Sequence, residues 1–269
     1  MASNEFVPSE IIGHGVYLCL RRAKGGDVGH AQRAPIAPLV ERLGLANEFA
    51  PEPAPPTESI AFLRRLDATP ADIADDALLH ADWVIHVASA RRDVISDFCA
   101  EVARFLAPAV TAHPLPGVRR PRSYTGGAMN KWAYERQLVQ QPGTAMPHAF
   151  IVPMSKTMEW WRKDWMERHT YFLPRYDDDG RMRNEGHALA TEVGIAHLLR
   201  RTYQSLDHPA PEGEYDFVSY FECADHSIPI FQQVCAALRD VARNPEWRFV
   251  REGPTWHGRR VASWADLFR

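Results

Sequence analysis

His187 is one of the side chains with a capacity for chemistry. It lies in Glu185-Gly186-His187-Ala188-Leu189-Ala190, and its small neighbours leave room for something bulky over the imidazole. His169 and His197 compete for any ligand role, and residue type alone does not separate the three. Trp160 and Trp161 follow Glu159 soon after an apolar run ending at Pro153. Taken alone, an adjacent Trp pair points first to core packing or an interface. Asp177-Asp178-Asp179-Gly180 invites a calcium loop, but a frame with Gly180 sixth would start at Arg175 and end at Gly186. Neither offers the side-chain oxygen that calcium needs, so a solvated acidic turn is expected. Cys19, Cys99, Cys223 and Cys235 form no CxxC pair and sit among apolar residues. Buried reduced thiols are expected there. No G-x-S-x-G, P-loop or dinucleotide fingerprint occurs.

The elements that must position these residues repeat. Asp82 to Val87 reads as a strand, followed by Val94, Ile95, Phe98, Cys99, Val102, Phe105 and Leu106 at helical spacing. Asp216 to Phe221 reads as a second strand, followed by the stripe Phe231, Val234, Cys235, Leu238, Val241 and Ala242. An earlier strand precedes each unit, over 15–20 and 149–153, and 247–251 reads as a closing strand. The pattern predicts an α+β chain of two ferredoxin-like halves, a dimeric α+β barrel within one chain, whose sheets close around a cavity. The halves are expected over 1–147 and 148–269. A stretch rich in turn residues from Pro108 to Pro147 reads as the linker, and 51–56 (PEPAPP) as a second loop.

Bulk properties exclude several partners. With 269 residues and a formal charge of −3, there is no electrostatic case for nucleic acid. The one basic cluster, Arg119, Arg120 and Arg122, reads as linker surface. No apolar run approaches the roughly 20 residues of a membrane span. The first ten residues show no secretory signal, so a cytoplasmic location is expected.

The ordered series Val152-Pro153-Met154-Ser155-Lys156, Glu159-Trp160-Trp161, His187, Arg200 with Tyr203, Asp216-Phe217 and Ser219-Tyr220-Phe221-Glu222 resembles the chlorite dismutase family, which includes coproheme decarboxylases. The resemblance covers about residues 149–254 in motif, and the N-terminal half in architecture only. It implies haem b in the C-terminal half, with His187 as the proximal iron ligand. The sequence has no C-x-x-C-H, so no covalent haem link of that kind is expected. By the same resemblance Arg200, 13 residues after His187, stands where chlorite-degrading members carry a distal arginine. Lys156 and Trp160 match positions at the haem edge and propionates, and Trp161 matches the second pocket tryptophan. Ser219 stands where the family has Thr, and Phe221 at a distal-pocket position. The family's reaction turns chlorite into chloride and O₂, and hydrogen peroxide feeds similar chemistry. A small-molecule oxidant or substrate and a homo-oligomer, with a pentamer favoured, are therefore implied.

Three departures accompany the resemblance. The segment from Trp161 to His187 is longer than the family's, and a long loop beside the iron could act as a lid. The carboxylate that usually holds the proximal His is expected on the last helix, where the nearest acid, Asp240, is out of register. The segment from Tyr203 to Asp216 is also lengthened. Together they weigh against chlorite itself, and the favoured reading is a haem oxidoreductase, resembling chlorite dismutase or a peroxidase, that uses a peroxide-like or oxyanion oxidant. The rivals are a coproheme decarboxylase, for which Val152 stands where a catalytic Tyr is needed, a haem-binding or sensing protein without turnover, and a barrel that has lost haem.

Overall fold

The computed structural model describes residues 10–47, 58–67, 76–125, 129 and 146–269; the loop at 51–56 and the N-terminal nine residues lie outside them. In chain order the elements are β1 (Gly13–Arg22), α1 (Val28–Gln32), α2 (Ile36–Arg42), β2 (Ala46–Asn47), β3 (Ser59–Arg65), β4 (Trp83–Ser89), α3 (Arg92–Leu106) and β5 (Val110–Arg119). There follow β6 (His148–Lys156), α4 (Met158–Arg162), α5 (Trp165–Thr170), β7 (Arg175–Tyr176), β8 (Met182–Asn184), α6 (Gly186–Ile195), β9 (Leu199–Gln204) and β10 (Phe217–Cys223). The chain continues through α7 (Ile228–Arg239), β11 (Val250–Glu252), β12 (Trp256–Val261) and α8 (Trp264–Leu267).

Eight strands form a closed ring, β10-β9-β5-β1-β4-β3-β12-β6, because β6 also pairs with β10. Within the ring, β5-β1-β4-β3 and β12-β6-β10-β9 repeat one order: in each set the fourth strand in sequence lies beside the first, then the third, then the second. Two seams join the sets. β3 and β12 pair from Phe62 opposite Val261 to Arg65 opposite Gly258, whereas β5 meets β9 only where Val118 faces Gln204.

The period-two pattern of the strands separates two environments. On β1, Val16, Leu18 and Leu20 face α3, whose stripe Val94, Ile95, Phe98, Val102 and Leu106 is buried as the helical spacing predicts. Tyr17 and Cys19 face the ring's interior with Tyr203, Tyr220 and Trp256. That interior also holds polar groups in fixed pairs. Arg201 Nη1 lies 2.9 Å from His86 Nδ1, and Tyr220 donates to Glu222 at 2.5 Å. Arg260 pairs with the same carboxylate. In the second set, Phe231, Val234 and Leu238 of α7 pack on Phe150, Val152 and Phe221, on the outer face of the sheet.

Several sequence expectations need correction. The supposed linker from Pro108 contains β5, a ten-residue strand beside β1. Arg119 ends that strand, and Arg122 is buried, with its guanidinium against His208 and the Phe217 ring. The helix α7 stops at Arg239, so Val241 and Ala242 lie beyond it and Val241 is exposed. Residues 247–251 begin in a 3₁₀ turn, Pro245–Phe249, before the short β11. The strand that closes the ring is β12, further on. Of the cysteines, Cys19 and Cys223 are buried, Cys99 and Cys235 are partly covered, and all four are free.

Candidate functional site

His187 sits at the start of α6, directly after a chain reversal. Gly186 has φ +63, and a Cβ there would lie 2.5 Å from the Leu173 carbonyl oxygen. Only glycine meets both demands without strain. The first N–H groups of α6, which have no partner within a helix, donate to the preceding segment: His187 to the Tyr171 carbonyl at 3.0 Å and Ala188 to the Phe172 carbonyl at 3.2 Å. The Phe172 ring stacks on the imidazole, with centroids 4.8 Å apart and planes at 23°. The extended segment after Trp161 therefore buttresses the histidine. Its outer tip is the solvated turn expected at Asp177–Gly180, joining β7 to β8, with Asp177 accepting from the Asp179 and Arg181 N–H groups.

The imidazole is held by a carboxylate that helical register could not locate. His187 Nδ1 lies 2.6 Å from Glu246 Oε2, and Lys156 Nζ lies 2.5 Å from Glu246 Oε1. All three side chains are buried. Burial alone would raise the Glu246 carboxyl, but Lys156 and His187 outweigh it and hold the group at about 2. Burial, with Arg200 and Lys156 beside it, lowers His187 below the usual histidine range against the upward pull of Glu246. A neutral imidazole beside an ionised carboxylate donates from Nδ1 and keeps its lone pair on Nε2. Nε2 is buried and has no hydrogen-bond partner among the described residues. Glu246 follows Pro245 in the 3₁₀ turn beyond α7, seven residues after Arg239. It thus lies beyond the helix on which the carboxylate was expected, and Asp240 instead caps the chain's exit from α7 by accepting from the Ala242 N–H.

His187 lines a cavity together with Lys156, Glu246, Phe172 and side chains of the sheet's outer face. β9 supplies Arg200 and Thr202, and β10 supplies Phe217 and Ser219. Arg200 Nη1 lies 3.3 Å from Met129 Sδ, and the guanidinium lies 5.5 Å from the centre of the Phe221 ring.

Of the residues expected from the sequence, Lys156, His187, Arg200 and Ser219 share this wall. Trp160, Trp161 and Phe221 stand behind it. Trp160 is fully buried beneath Lys156, whose ammonium lies 4.5 Å from its ring centre. Trp161 donates to Asp216 Oδ2 at 3.2 Å, and the same oxygen accepts from the Lys156 N–H at 2.6 Å. The Trp pair thus braces the end of β6, close to the packing role its adjacency first indicated. Phe221 packs edge-on against Phe231. His169 is engaged with the Tyr124 carbonyl at 2.8 Å, and neither it nor His197 lines the cavity. Val152 belongs to the core under α7.

A closed strand ring with helices packed outside and one buried imidazole facing a cavity defines an α+β barrel with a candidate cofactor site. Solved structures narrow the class. Chlorite dismutase from Candidatus Nitrospira defluvii in complex with imidazole superposes with a TM-score of 0.67 at 18% identity, over 97% of this chain and 95% of that one. A mutant of the same enzyme in complex with cyanide gives 0.64 at 17% identity, with the same coverage. The chain has the chlorite dismutase fold along nearly its whole length, in agreement with the family resemblance of its motifs. No protein-family model matches the sequence, and no curated protein matches it.

Proposed function

We propose that this protein binds haem b with His187 as the axial ligand and acts as an oxidoreductase on a peroxide-like or oxyanion oxidant. The observation that carries the proposal is the His187–Glu246 pair: one nitrogen held by a buried carboxylate, the other buried, unpartnered and beside a cavity. Metal-bound histidines are typically oriented through their second nitrogen in this way. Among the described residues no group of three or more His, Cys, Asp or Glu side chains could hold a bare ion. One imidazole suits a metal that brings its remaining ligands with it, as haem iron does.

In this reading haem supplies the redox-active iron. The chain's own residues do the rest. Glu246 fixes the tautomer of His187 and strengthens it as a donor. Lys156 neutralises Glu246 and, with Ser219, faces the cofactor's edge, while Trp160, Trp161 and Phe221 support those positions from behind. Arg200 holds the oxidant and stabilises the negative charge that develops as its O–O or Cl–O bond breaks. The sequence order supports treating 1–147 and 148–269 as two ferredoxin-like modules, with the cofactor in the second. The resemblance also implies a homo-oligomer, with a pentamer favoured, which sedimentation velocity would test. Val152, buried away from the cavity, lacks the phenol a coproheme decarboxylase needs. We expect incubation with iron coproporphyrin III and peroxide to leave both carboxylates in place by mass spectrometry.

The direct test is the visible spectrum after addition of hemin. The parent, His169→Ala and His197→Ala should form a stable ferric haem complex and His187→Ala should not. Equal hemin affinity in His187→Ala and the parent would remove the basis of the proposal.

A further inference from the structure

Two thioethers, Met129 and Met154, line the cavity, and only Met129 has its sulfur against the guanidinium of Arg200, with Nη1 3.3 Å from Sδ. Met129 is 5% exposed. Three other methionines are open to solvent: Met158 at 43%, Met182 at 48% and Met166 at 63%. An oxidant arriving from bulk solution reaches those three first, since exposure governs thioether oxidation outside a site. An oxidant held by Arg200 meets Met129 first. The two routes predict opposite orders of damage.

We propose that Met129 is a site of oxidative self-modification, converted to its sulfoxide by the peroxide that Arg200 holds. The inference rests on the haem reading for the oxidant and on the Arg200–Met129 contact for the choice of residue. In the net step the peroxide O–O bond breaks and an S–O bond forms. The sulfur lone pair supplies two electrons, so the thioether is oxidised and the peroxide reduced. The second oxygen leaves with both peroxide protons as water. The Arg200 cation stabilises the charge on the departing oxygen.

The product changes the site. A thioether is a weak acceptor, whereas a sulfoxide oxygen is a strong one and pairs with a guanidinium through a charge-assisted hydrogen bond. Met129 sulfoxide therefore draws Arg200 toward the wall and away from the next oxidant. Turnover falls as the modification accumulates. Because thioether oxidation is the reversible rung of sulfur oxidation, treatment with methionine sulfoxide reductase after partial unfolding restores the original mass.

The experiment is peptide mass mapping of hemin-loaded protein treated with a few equivalents of hydrogen peroxide. In the parent, Met129 gains one oxygen ahead of Met166, Met158 and Met182, by about tenfold or more, a modest share of what one oxidant-holding cation contributes. In Arg200→Ala the preference collapses and Met166 leads; Arg200→Lys, which keeps the charge, retains part of it. Each variant is first checked for its haem spectrum and circular dichroism. If the parent holds haem and consumes peroxide while Met129 stays reduced and Met166 oxidises, the inference is overturned and the haem reading stands. A Met129 preference that survives in Arg200→Ala removes the role given to Arg200 and overturns it as well. Failure to bind haem or consume peroxide overturns both.

Discussion

At the scale of single residues, a carboxylate on one side of an imidazole determines what the other side can do. Glu246 accepts from His187 and is itself neutralised by Lys156, so three buried polar side chains form one unit. Removing one member leaves a buried charge without its partner. We expect Glu246→Ala to lose about 3–5 kcal/mol of stability, the usual consequence of breaking a buried ion pair, measured by urea unfolding. Glu246→Gln keeps the shape but lowers the donor strength of His187, and spectroelectrochemistry should show the ferric/ferrous couple moving to a more positive potential. Arg200→Ala should keep the haem spectrum, because in the proposed reading the iron is held by His187 and Arg200 faces the oxidant. Loss of about 2–4 kcal/mol of transition-state stabilisation slows reaction with peroxide or chlorite roughly 30- to 1000-fold. Stopped-flow traces that match the parent would remove Arg200 from the distal role. His187, Lys156 and Arg200 were singled out by the resemblance of the chain's ordered motifs to the chlorite dismutase family, since residue type alone did not separate His187 from His169 and His197. Glu246 was not, because its place depends on how the chain leaves a helix and re-enters a turn at Pro245, and helical register says nothing about that.

At the scale of elements, the strands and the two long amphipathic helices were legible because apolar period reports directly which face is buried. β5 was hidden by its prolines. Pro114 and Pro116 have the same parity, so both ring nitrogens point to the same side of the strand. β5 pairs with β1 along its length but with β9 at one position only. Most of its second side is an edge, where proline costs no ladder hydrogen bond. The segment between Trp161 and His187 was legible as an extension but not in its purpose, since the carbonyls that cap α6 leave no trace in side-chain pattern. The reversal at Gly186 gives a test. Gly186→Ala forces a left-handed conformation, which costs an L-residue about 1–2 kcal/mol, and drives its Cβ into the Leu173 carbonyl. We expect a lower midpoint of thermal unfolding and weaker hemin binding. An unchanged hemin affinity would show that the buttress does not set the position of His187.

At the scale of the whole molecule, large side chains pack inside the ring, and Trp256 ties two parts of it together. Its indole is fully buried and donates to the Ala81 carbonyl at 3.0 Å, tying β12 to the chain two residues ahead of β4. Truncation to alanine should cost about 3–5 kcal/mol by denaturant unfolding, with the His187 unit left intact on the outer face. Beyond β12, Trp264, Leu267 and Phe268 pack into the core of the first strand set beside Phe62 and Trp83. The sequence showed two similar units, and it could not show that the tail of the second completes the core of the first, because period and composition do not say which of two apolar surfaces a segment joins.

That return has a consequence for the protein's synthesis. On the ribosome, β3 emerges early and finds β4 on one side, but on its other side its main neighbour is β12, nearly two hundred residues downstream. Until residues 256–261 are made, β3 presents a largely unpaired edge over a core still missing Val261, Trp264, Leu267 and Phe268. Nascent chains in that state are open to pairing with one another on neighbouring ribosomes. The interval between the making of β3 and of β12 is the period in which a holding chaperone matters most. Rare codons placed in that interval should lower the soluble yield more than the same codons placed after Val261.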